Sequence, residues 1–127
     1  MEPAAIEQAL REFFATHREG IVAVYLFGSV ARGTAGPRSD VDLAVLYEVA
    51  PPATLDGLPV DLENRIAKLV GRPVQVIVLN RAPVDLVHRV LRDGVLVLDA
   101  DKSARIRFEV RARNEFLETS WFSNMAA

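Results

Sequence analysis

The chain has 127 residues, a formal net charge of -2 and no cysteine. This length predicts a single domain, residues 1–127, and the near-neutral charge argues against a general binder of long nucleic acid, whose surface is markedly basic. The absence of cysteine excludes a disulfide framework and thiolate metal sites. We expect a cytoplasmic protein without a membrane span, because no basic N-terminal segment precedes an apolar core and no apolar run approaches about 18 residues.

The hydrophobic pattern predicts alternating helices and strands along the chain. Apolar residues at helical spacing predict a helix over 3–18, and the β-branched run after Gly20 predicts a buried strand over 21–27. A short helical segment, SVAR, and a strand over 40–47 follow. Beyond the proline pair at 51–52, the pattern predicts a helix over 55–70, a strand over 72–80, a helix over 82–94, a strand over 95–98 and a long helix over 102–122. The expected fold is α/β (α+β), a small mixed β-sheet flanked by helices.

The most informative segment is LFGSVARGTAGPRSDVDLAVLY, residues 26–47. Gly28 and Ser29 stand where a strand meets a short helix, and such a turn can bind an anion because backbone amides and the helix dipole favour negative charge. Gly28 lets a phosphate approach the backbone, and the Ser29 hydroxyl can donate a hydrogen bond to it. Taken alone, a Gly-Ser pair at such a turn is more often structural punctuation.

Two acids follow in the next predicted strand. Asp40 and Asp42 alternate with apolar residues, so both carboxylates are expected on one face. Asp is depleted in strands, so this pattern indicates a solvated edge or a bound cation, and Mg²⁺ is a hard ion that suits carboxylates and substrate phosphates. Arg32 and Arg38 lie between the two motifs and supply counter-charges for a leaving pyrophosphate. The segment predicts metal-assisted phosphoryl chemistry, with Asp40 and Asp42 as catalytic and metal-binding residues.

The same segment resembles the signature of the DNA-polymerase-β-type nucleotidyltransferase superfamily, in particular its minimal nucleotidyltransferase (MNT) proteins. The shared pattern is Gly-Ser-x-Ala-Arg-Gly, five further residues, then Ser-Asp-x-Asp-Leu-x-Val, running from Gly28 to Val45. The resemblance continues through most of the chain. It implies a polymerase-β-like nucleotidyltransferase fold and nucleotidyl transfer from Mg-ATP to an acceptor hydroxyl, with pyrophosphate leaving.

The resemblance also implies the ligands and the partner of this site. The implied nucleotide-binding residues are Gly28, Ser29, Arg32, Arg38 and Ser39. Mg²⁺ is the implied cofactor, held by the two acids, and ATP is the implied substrate. Many MNT proteins are MntA-like antitoxins of MNT/HEPN toxin-antitoxin pairs, and members of this group add AMP to a tyrosine of the HEPN ribonuclease toxin. The implied partner is therefore a HEPN-domain toxin.

The sequence departs from the family pattern at one position. A third carboxylate normally lies on the strand after the second long helix, where this chain has Gln75 in PVQVIVL. An amide is a neutral ligand and a poor base, so we expect weaker metal binding beside the acceptor and a less activated hydroxyl. Asp61, Glu63 and Asp85 are candidate substitutes. The alternative function is a catalytically weakened nucleotide-binding antitoxin that neutralises its HEPN partner by complex formation.

The last predicted helix has one apolar stripe amid many charges, made of Ile106, Val110, Phe116/Leu117 and Trp121. We expect its arginines, Arg105, Arg107, Arg111 and Arg113, to form a solvated face. Phe116, Trp121 and Phe122 are candidate anchors for a partner protein, because aromatic residues are enriched at interface hot spots. Transfer to a small molecule such as an aminoglycoside is a third possibility. It requires an acceptor site that 127 residues do not obviously provide, unless dimerisation supplies one.

Overall fold

The computed structural model of the chain describes residues 1–126, with side chains described for residues 1–121. Within that range, the helices are α1 (Pro3–Thr16), α2 (Gly28–Arg32), α3 (Val60–Val70), α4 (Val84–Asp93) and α5 (Lys102–Ala126). The strands are β1 (Ile21–Phe27), β2 (Val41–Tyr47), β3 (Val74–Val78) and β4 (Val95–Asp99). No helix in this range has the length and apolar character needed to cross a membrane. The predicted α+β class is confirmed.

The four strands form one mixed sheet in the order β3-β2-β1-β4. Strand β1 is antiparallel to both β2 and β4, whereas β3 is parallel to β2. As a result, β1 ends at the same end of the sheet where β2, β3 and β4 begin. We call this the Gly28 end, because Gly28 directly follows β1. Helix α4 ends here too, since it leads into the start of β4.

Both faces of the sheet are covered by helices. On one face, Val41, Leu43 and Val45 of β2 pack with buried residues of α1 and α3. On the other face, Ala44 and Leu46 pack with residues of α4 and α5. This alternation follows the two-residue period of a strand, and it places residue 42 of β2 on the α4/α5 face.

The helix predicted over 55–70 is wrong in its first part. Leu55–Gly57 forms a separate 3-10 turn, and α3 begins at Val60. Leu58 is extended, with φ -78° and ψ 136°, because the residue before a proline is disfavoured in the helical conformation and Pro59 follows it. Gly57 is also buried, and a Cβ at this position would overlap the backbone of Pro52. The tight packing against Pro52 keeps this segment out of the helix.

Several predicted ends differ by a few residues. The first helix stops at Thr16 instead of residue 18, β2 starts at Val41 instead of residue 40, and α4 is shorter than 82–94. The strand predicted over 72–80 is limited to Val74–Val78, and residues 79–81 form a 3-10 turn. In this turn the Asn80 side chain bonds the Tyr47 backbone, accepting from its N-H and donating to its carbonyl oxygen, both at 2.9 Å. A side chain thus takes the place of strand backbone at the end of β2.

The prediction of a single apolar stripe on the last helix is wrong, because α5 is apolar on two sides. Ala104, Phe108 and Ala112 pack against the α4/α5 face of the sheet, and Phe116 stacks on His88 of α4 with ring centroids 3.6 Å apart. The other residues of the predicted stripe point away from the sheet: Ile106, Val110, Leu117 and Trp121 are 43%, 47%, 59% and 58% exposed. The side chain of Phe122 lies outside the described residues.

Candidate nucleotide-binding site

Gly28 joins β1 to α2 without an intervening loop, in a conformation that favours glycine. Its φ is +76°, in the left-handed region that L side chains rarely adopt. A Cβ at this position would overlap Oδ2 of Asp42 and lie 3.2 Å from its Cγ. The glycine therefore allows a carboxylate of the neighbouring strand to approach the backbone at the start of α2.

The two signature acids lie at the Gly28 end of the sheet. Asp42 is the second residue of β2 and is half-buried, whereas Asp40 immediately precedes the strand and is exposed. Burial raises the pKa of the Asp42 carboxyl, the charge of Asp40 raises it further, and the charge of Arg32 lowers it. The two carboxylates are thus close enough to repel each other, and a bound cation would relieve this repulsion.

The remaining signature residues differ in what they contact. Arg32 is the last residue of α2 and is exposed, and its positive charge lowers the pKa of Asp42. Arg38 is exposed in the loop before β2. Ser29 is half-buried in α2, and its carbonyl oxygen accepts a hydrogen bond from the backbone N-H of residue 34 at 3.0 Å. Ser39 Oγ accepts a hydrogen bond from the Gly36 N-H at 2.9 Å, so its hydroxyl oxygen helps to close the loop.

Sequence reasoning missed Arg72, which holds this loop in place. Its side chain is buried, with 7% exposure. Nη1 donates to the carbonyl oxygens of Gly36 and Ser39, at 2.7 and 3.0 Å, and Nε donates to that of Met1 at 3.0 Å. The guanidinium thereby anchors the loop that leads into Asp40. The signal in the sequence is an arginine between Gly71 and Pro73, at the position where the pattern predicts the start of the strand over 72–80.

Gln75 lies beside Asp42 in the sheet. In the parallel pairing of β2 with β3, Gln75 is the partner of Asp42, and Ile77 that of Ala44. Ile77 packs with the cluster on the α4/α5 face, so Gln75, two residues earlier, points to that face as well. Gln75 is exposed. A neutral amide therefore occupies the position next to the more buried acid of the pair.

Two candidate substitutes for a third carboxylate lie on α3, which covers the opposite face of the sheet. Glu63 Oε2 accepts a hydrogen bond from the Val76 N-H at 2.8 Å and so covers the free edge of β3. Asp61 forms an exposed ion pair with Arg65 at 3.2 Å. Neither carboxylate is directed toward Asp42.

The remaining acids of this region belong to α4. Asp85 lies in the first turn of α4, which follows the C-terminal end of β3 and is therefore at the opposite end of the sheet. Asp93 is the last residue of α4. The charge of Arg32 lowers the pKa of its carboxyl slightly, but the hydrogen bond from Arg92 is the larger cause. The Arg92 guanidinium donates to both carboxylate oxygens of Asp93, at 2.8 and 2.9 Å, and this contact lowers the pKa of Asp93. Sequence reasoning did not consider Asp93.

The donor set fits a divalent cation in part. Among the described residues, no group of three or more His, Cys, Asp or Glu side chains is arranged to hold a metal ion. Asp40 and Asp42 offer two hard carboxylate ligands, and Mg²⁺ commonly takes one or two carboxylates together with substrate phosphates and water. The described residues therefore offer two carboxylate ligands for a divalent cation, and among them no third acidic side chain completes the group.

The family model for polymerase beta nucleotidyltransferases matches residues 8–103. The chain belongs to this family. A structure provisionally assigned as a minimal nucleotidyltransferase is 33% identical, covers 75% of this chain and 95% of its own, and has a TM-score of 0.58. The family resemblance drawn from the signature is therefore confirmed. No curated protein sequence matches the chain significantly.

Other solved structures share the fold at lower identity. A toxin-antitoxin structure with AMP-PNP has a TM-score of 0.74 at 20% identity, covering 95% of this chain and 98% of that chain. A complex of a tri-AMPylated HEPN toxin with an MNT antitoxin from Shewanella oneidensis has a TM-score of 0.70 at 17% identity, covering 99% and 100%. A toxin-antitoxin MntA-HepT structure has a TM-score of 0.68 at 17% identity, covering 98% and 99%. These likenesses show the fold.

Proposed function

We propose that this chain is a nucleotidyltransferase-type antitoxin that transfers AMP from Mg-ATP to a tyrosine of a cognate HEPN ribonuclease toxin. The observation that carries the proposal is the placement of Gly28, Asp40 and Asp42 together at one end of the sheet. The fold is shared with a toxin-antitoxin structure that contains AMP-PNP and with a complex of a tri-AMPylated HEPN toxin. Both the nucleotide and the modification named for those proteins match the chemistry expected of this site.

Each signature residue has a role in the proposed reaction. The turn at Gly28 and Ser29 receives the triphosphate, Arg32 and Arg38 balance the charge of the leaving pyrophosphate, and the two acids hold the cation. Mg²⁺, when bound, neutralises charge that develops on the phosphate oxygens. The tyrosine oxygen forms a bond to the α-phosphorus while the bond to the bridging oxygen of the pyrophosphate breaks. The phenol proton passes to water, since the amide of Gln75 is a poor base.

A second function is favoured by the pairing of Asp42 with Gln75. With an amide at this position and the neighbouring acids engaged elsewhere, transfer would be slow, whereas two carboxylates still serve a Mg-nucleotide. In this case the chain neutralises its HEPN partner by complex formation, and the nucleotide is a structural or regulatory ligand. The two functions differ in whether the toxin is modified.

Intact-mass spectrometry of the HEPN protein encoded beside this chain separates them. The HEPN protein is purified after expression alone, with the wild-type chain, and with the Asp40→Asn/Asp42→Asn double variant. AMP transfer predicts a mass increase by whole AMP units that the double variant abolishes. An unmodified toxin in a stable complex that the double variant still neutralises supports the second function. A toxin that is neither modified nor bound contradicts both.

A further inference from the structure

The end of helix α4 borders the candidate site from a side that the signature residues do not occupy. Strand β1 lies between β2 and β4 in the sheet. At the end of β1, Phe27 is paired with Asp42 of β2. On the other side of β1, helix α4 closes with Asp93, and β4 starts two residues later at Val95. The turn at Gly28 therefore has an acid of β2 on one side and the last acid of α4 on the other.

The strand register brings Asp93 to the level of this turn. Leu26 is paired with Val95 in the antiparallel pair of β1 with β4. In such a pair, a step forward on one strand matches a step back on the other, so residue 93 comes opposite residue 28. The backbone is close here, since a Cβ built on Gly94 would lie 3.4 Å from the carbonyl oxygen of Leu26. Helices α2 and α4 are also in contact with each other.

Arg32 is the arginine that the two carboxylates share. It is the last residue of α2, and its positive charge acts both on Asp42 and on Asp93. Within the described part of the chain, neither carboxylate accepts a hydrogen bond from Arg32. The guanidinium thus lies within electrostatic range of two acids without a direct contact to either, and small changes in charge can shift it toward one of them.

Asp93 carries a charge that its own helix does not favour. The C-terminus of a helix is the negative end of the helix dipole, so a carboxylate in the last turn is unfavourable. The Arg92 guanidinium compensates for this charge by donating to both carboxylate oxygens, at 2.8 and 2.9 Å. Each oxygen can accept two hydrogen bonds, so one acceptor position on each remains open. Asp93 can therefore attract Arg32 while it is bound to Arg92.

The two carboxylates compete for one guanidinium. An Arg32 side chain that paired with Asp42 would occupy oxygens that the candidate site offers to a cation. Attraction by Asp93 acts in the opposite direction, because this acid lies on the other side of the turn. Asp42 then keeps its carboxylate for the cation, and Arg32 stays beside the turn that is expected to receive the triphosphate.

We propose that Asp93 is a positioning residue of the nucleotide site, which holds Arg32 away from Asp42 and so keeps the Asp42 carboxylate open to a divalent cation. This inference rests on the proposed function, since it concerns the binding of the Mg-nucleotide named there. Asp93 itself contacts neither the nucleotide nor the cation. It acts through Arg32, so its contribution must disappear when Arg32 is removed.

The test measures how tightly the full chain binds a non-hydrolysable ATP analogue with Mg²⁺, by titration calorimetry at low ionic strength, where exposed charges are least screened. Asp93→Asn keeps the shape of the side chain and removes its charge. This variant is expected to bind the Mg-analogue about three- to fivefold more weakly, the effect of losing one exposed charge interaction. A purely electrostatic effect has the opposite sign, because loss of a negative charge beside a polyanion would tighten binding.

A double-variant cycle isolates the contribution that passes through Arg32. In the Arg32→Met chain, Asp93→Asn is expected to cause no further loss of affinity. Asp93→Glu keeps the charge on a longer side chain and is expected to recover most of the affinity. Without Mg²⁺, Asp93→Asn is expected to bind the analogue as tightly as the wild-type chain, because the competition concerns the oxygens that hold the cation.

Asp56→Asn is the matched control. Asp56 is an exposed acid in the 3-10 turn Leu55–Gly57. This turn lies at the opposite end of the sheet, where the Gly57 carbonyl oxygen accepts a hydrogen bond from Arg81, just beyond β3. The control is expected to bind the Mg-analogue like the wild-type chain. Urea unfolding of every variant is expected to match the wild-type chain within about 1 kcal/mol, since all these acids are exposed.

Three results would overturn the inference. They are unchanged or tighter binding of the Mg-analogue by Asp93→Asn, a loss of the same size in the Arg32→Met chain, and a loss that persists without Mg²⁺. Failure of the wild-type chain to bind the Mg-analogue contradicts the proposed function instead. That failure is distinguished from the other three because it appears before any variant is made.

Discussion

Asp42 and Gln75 are partners in the parallel pairing of β2 with β3, and their side chains point to the same face of the sheet. The family resemblance implied a carboxylate at the second of these positions. The amide leaves the pair with one negative charge where two were expected. The consequences for metal binding and for proton removal can be tested by changing this one side chain.

Replacing Gln75 with Asp is expected to raise the rate of AMP transfer to the toxin about a hundredfold, because charged groups that stabilise a transition state are worth two to three orders of magnitude. The variant is also expected to bind a second Mn²⁺ per chain in the presence of a non-hydrolysable ATP analogue. Intact mass of the toxin over time measures the first effect, and electron paramagnetic resonance of free Mn²⁺ measures the second.

Gln75→Asn is the matched control, because it keeps the neutral amide on a shorter side chain. It is expected to behave like the wild-type chain in both measurements. Equal transfer rates for the wild-type chain and Gln75→Asp would show that a third carboxylate at this position is unnecessary.

Gly28→Ala is expected to abolish Mg-ATP binding. The new Cβ would overlap Oδ2 of Asp42 and would occupy a backbone conformation, φ +76°, that costs a non-glycine residue about 1 to 2 kcal/mol. Calorimetric titration with Mg-ATP measures binding, and urea unfolding measures stability.

Gly20→Ala separates the backbone strain from the collision, since Gly20 has φ +73° with no heavy atom within 4 Å of a built Cβ. This control is expected to lose about 1 to 2 kcal/mol of stability and to keep full nucleotide affinity. Nucleotide binding by Gly28→Ala at wild-type affinity would mean that the approach of Asp42 to residue 28 is unimportant for the site.

Arg72→Met is expected to lower the free energy of unfolding by about 3 kcal/mol, because it leaves buried carbonyl oxygens of the loop without their charged donor. It is also expected to weaken Mg-ATP binding, since the loop that leads into Asp40 loses its anchor. Urea unfolding and nucleotide titration check the two effects.

Arg65→Met provides the comparison, because Arg65 forms an exposed ion pair with Asp61 on α3. Such pairs contribute about 0 to 1 kcal/mol, and nucleotide affinity should be unchanged. Arg72→Lys is expected to recover part of the lost stability. A loss in Arg72→Met no larger than that in Arg65→Met would refute the anchoring role.

Tyr25 is expected to make the folded chain sensitive to alkaline pH. Its hydroxyl is buried without a hydrogen-bond partner among the described residues. Burial raises the phenol pKa, the charge of Glu109 raises it further, and Arg105 lowers it. The folded chain therefore holds this proton at pH values where the unfolded chain has lost it, so stability falls as pH rises above the ordinary phenol pKa of about 10.

The chain has two tyrosines, so Tyr47→Phe leaves Tyr25 as the single phenol to follow by absorbance. Its ionisation is expected to coincide with the loss of the circular dichroism signal. Tyr25→Phe is expected to reduce the alkaline loss and to leave neutral-pH stability unchanged or up to about 1 kcal/mol higher. Phenolate formation near pH 10 in a chain that remains folded would contradict the burial of this hydroxyl.

The local parts of the site were predictable from the sequence. The β1-α2 turn at Gly28 and the alternation around Asp42 depend on residues that are neighbours in the chain, and the structure has both as predicted. The helix predicted to start at residue 55 was wrong because helical spacing was followed through Gly57 and Pro59. The packing of Gly57 against the backbone of Pro52 is not visible in a periodic pattern.

The order of helices and strands and the family resemblance could be predicted from the sequence, because hydrophobic period and signature spacing are local properties. The tertiary structure was needed to show that Gln75 lies beside Asp42, that Arg72 binds the loop before Asp40, and that Ile106, Val110 and Leu117 of α5 face away from the sheet. These relationships depend on strand register and on which side of a helix meets the sheet. Both are set by packing between residues that are far apart in the chain.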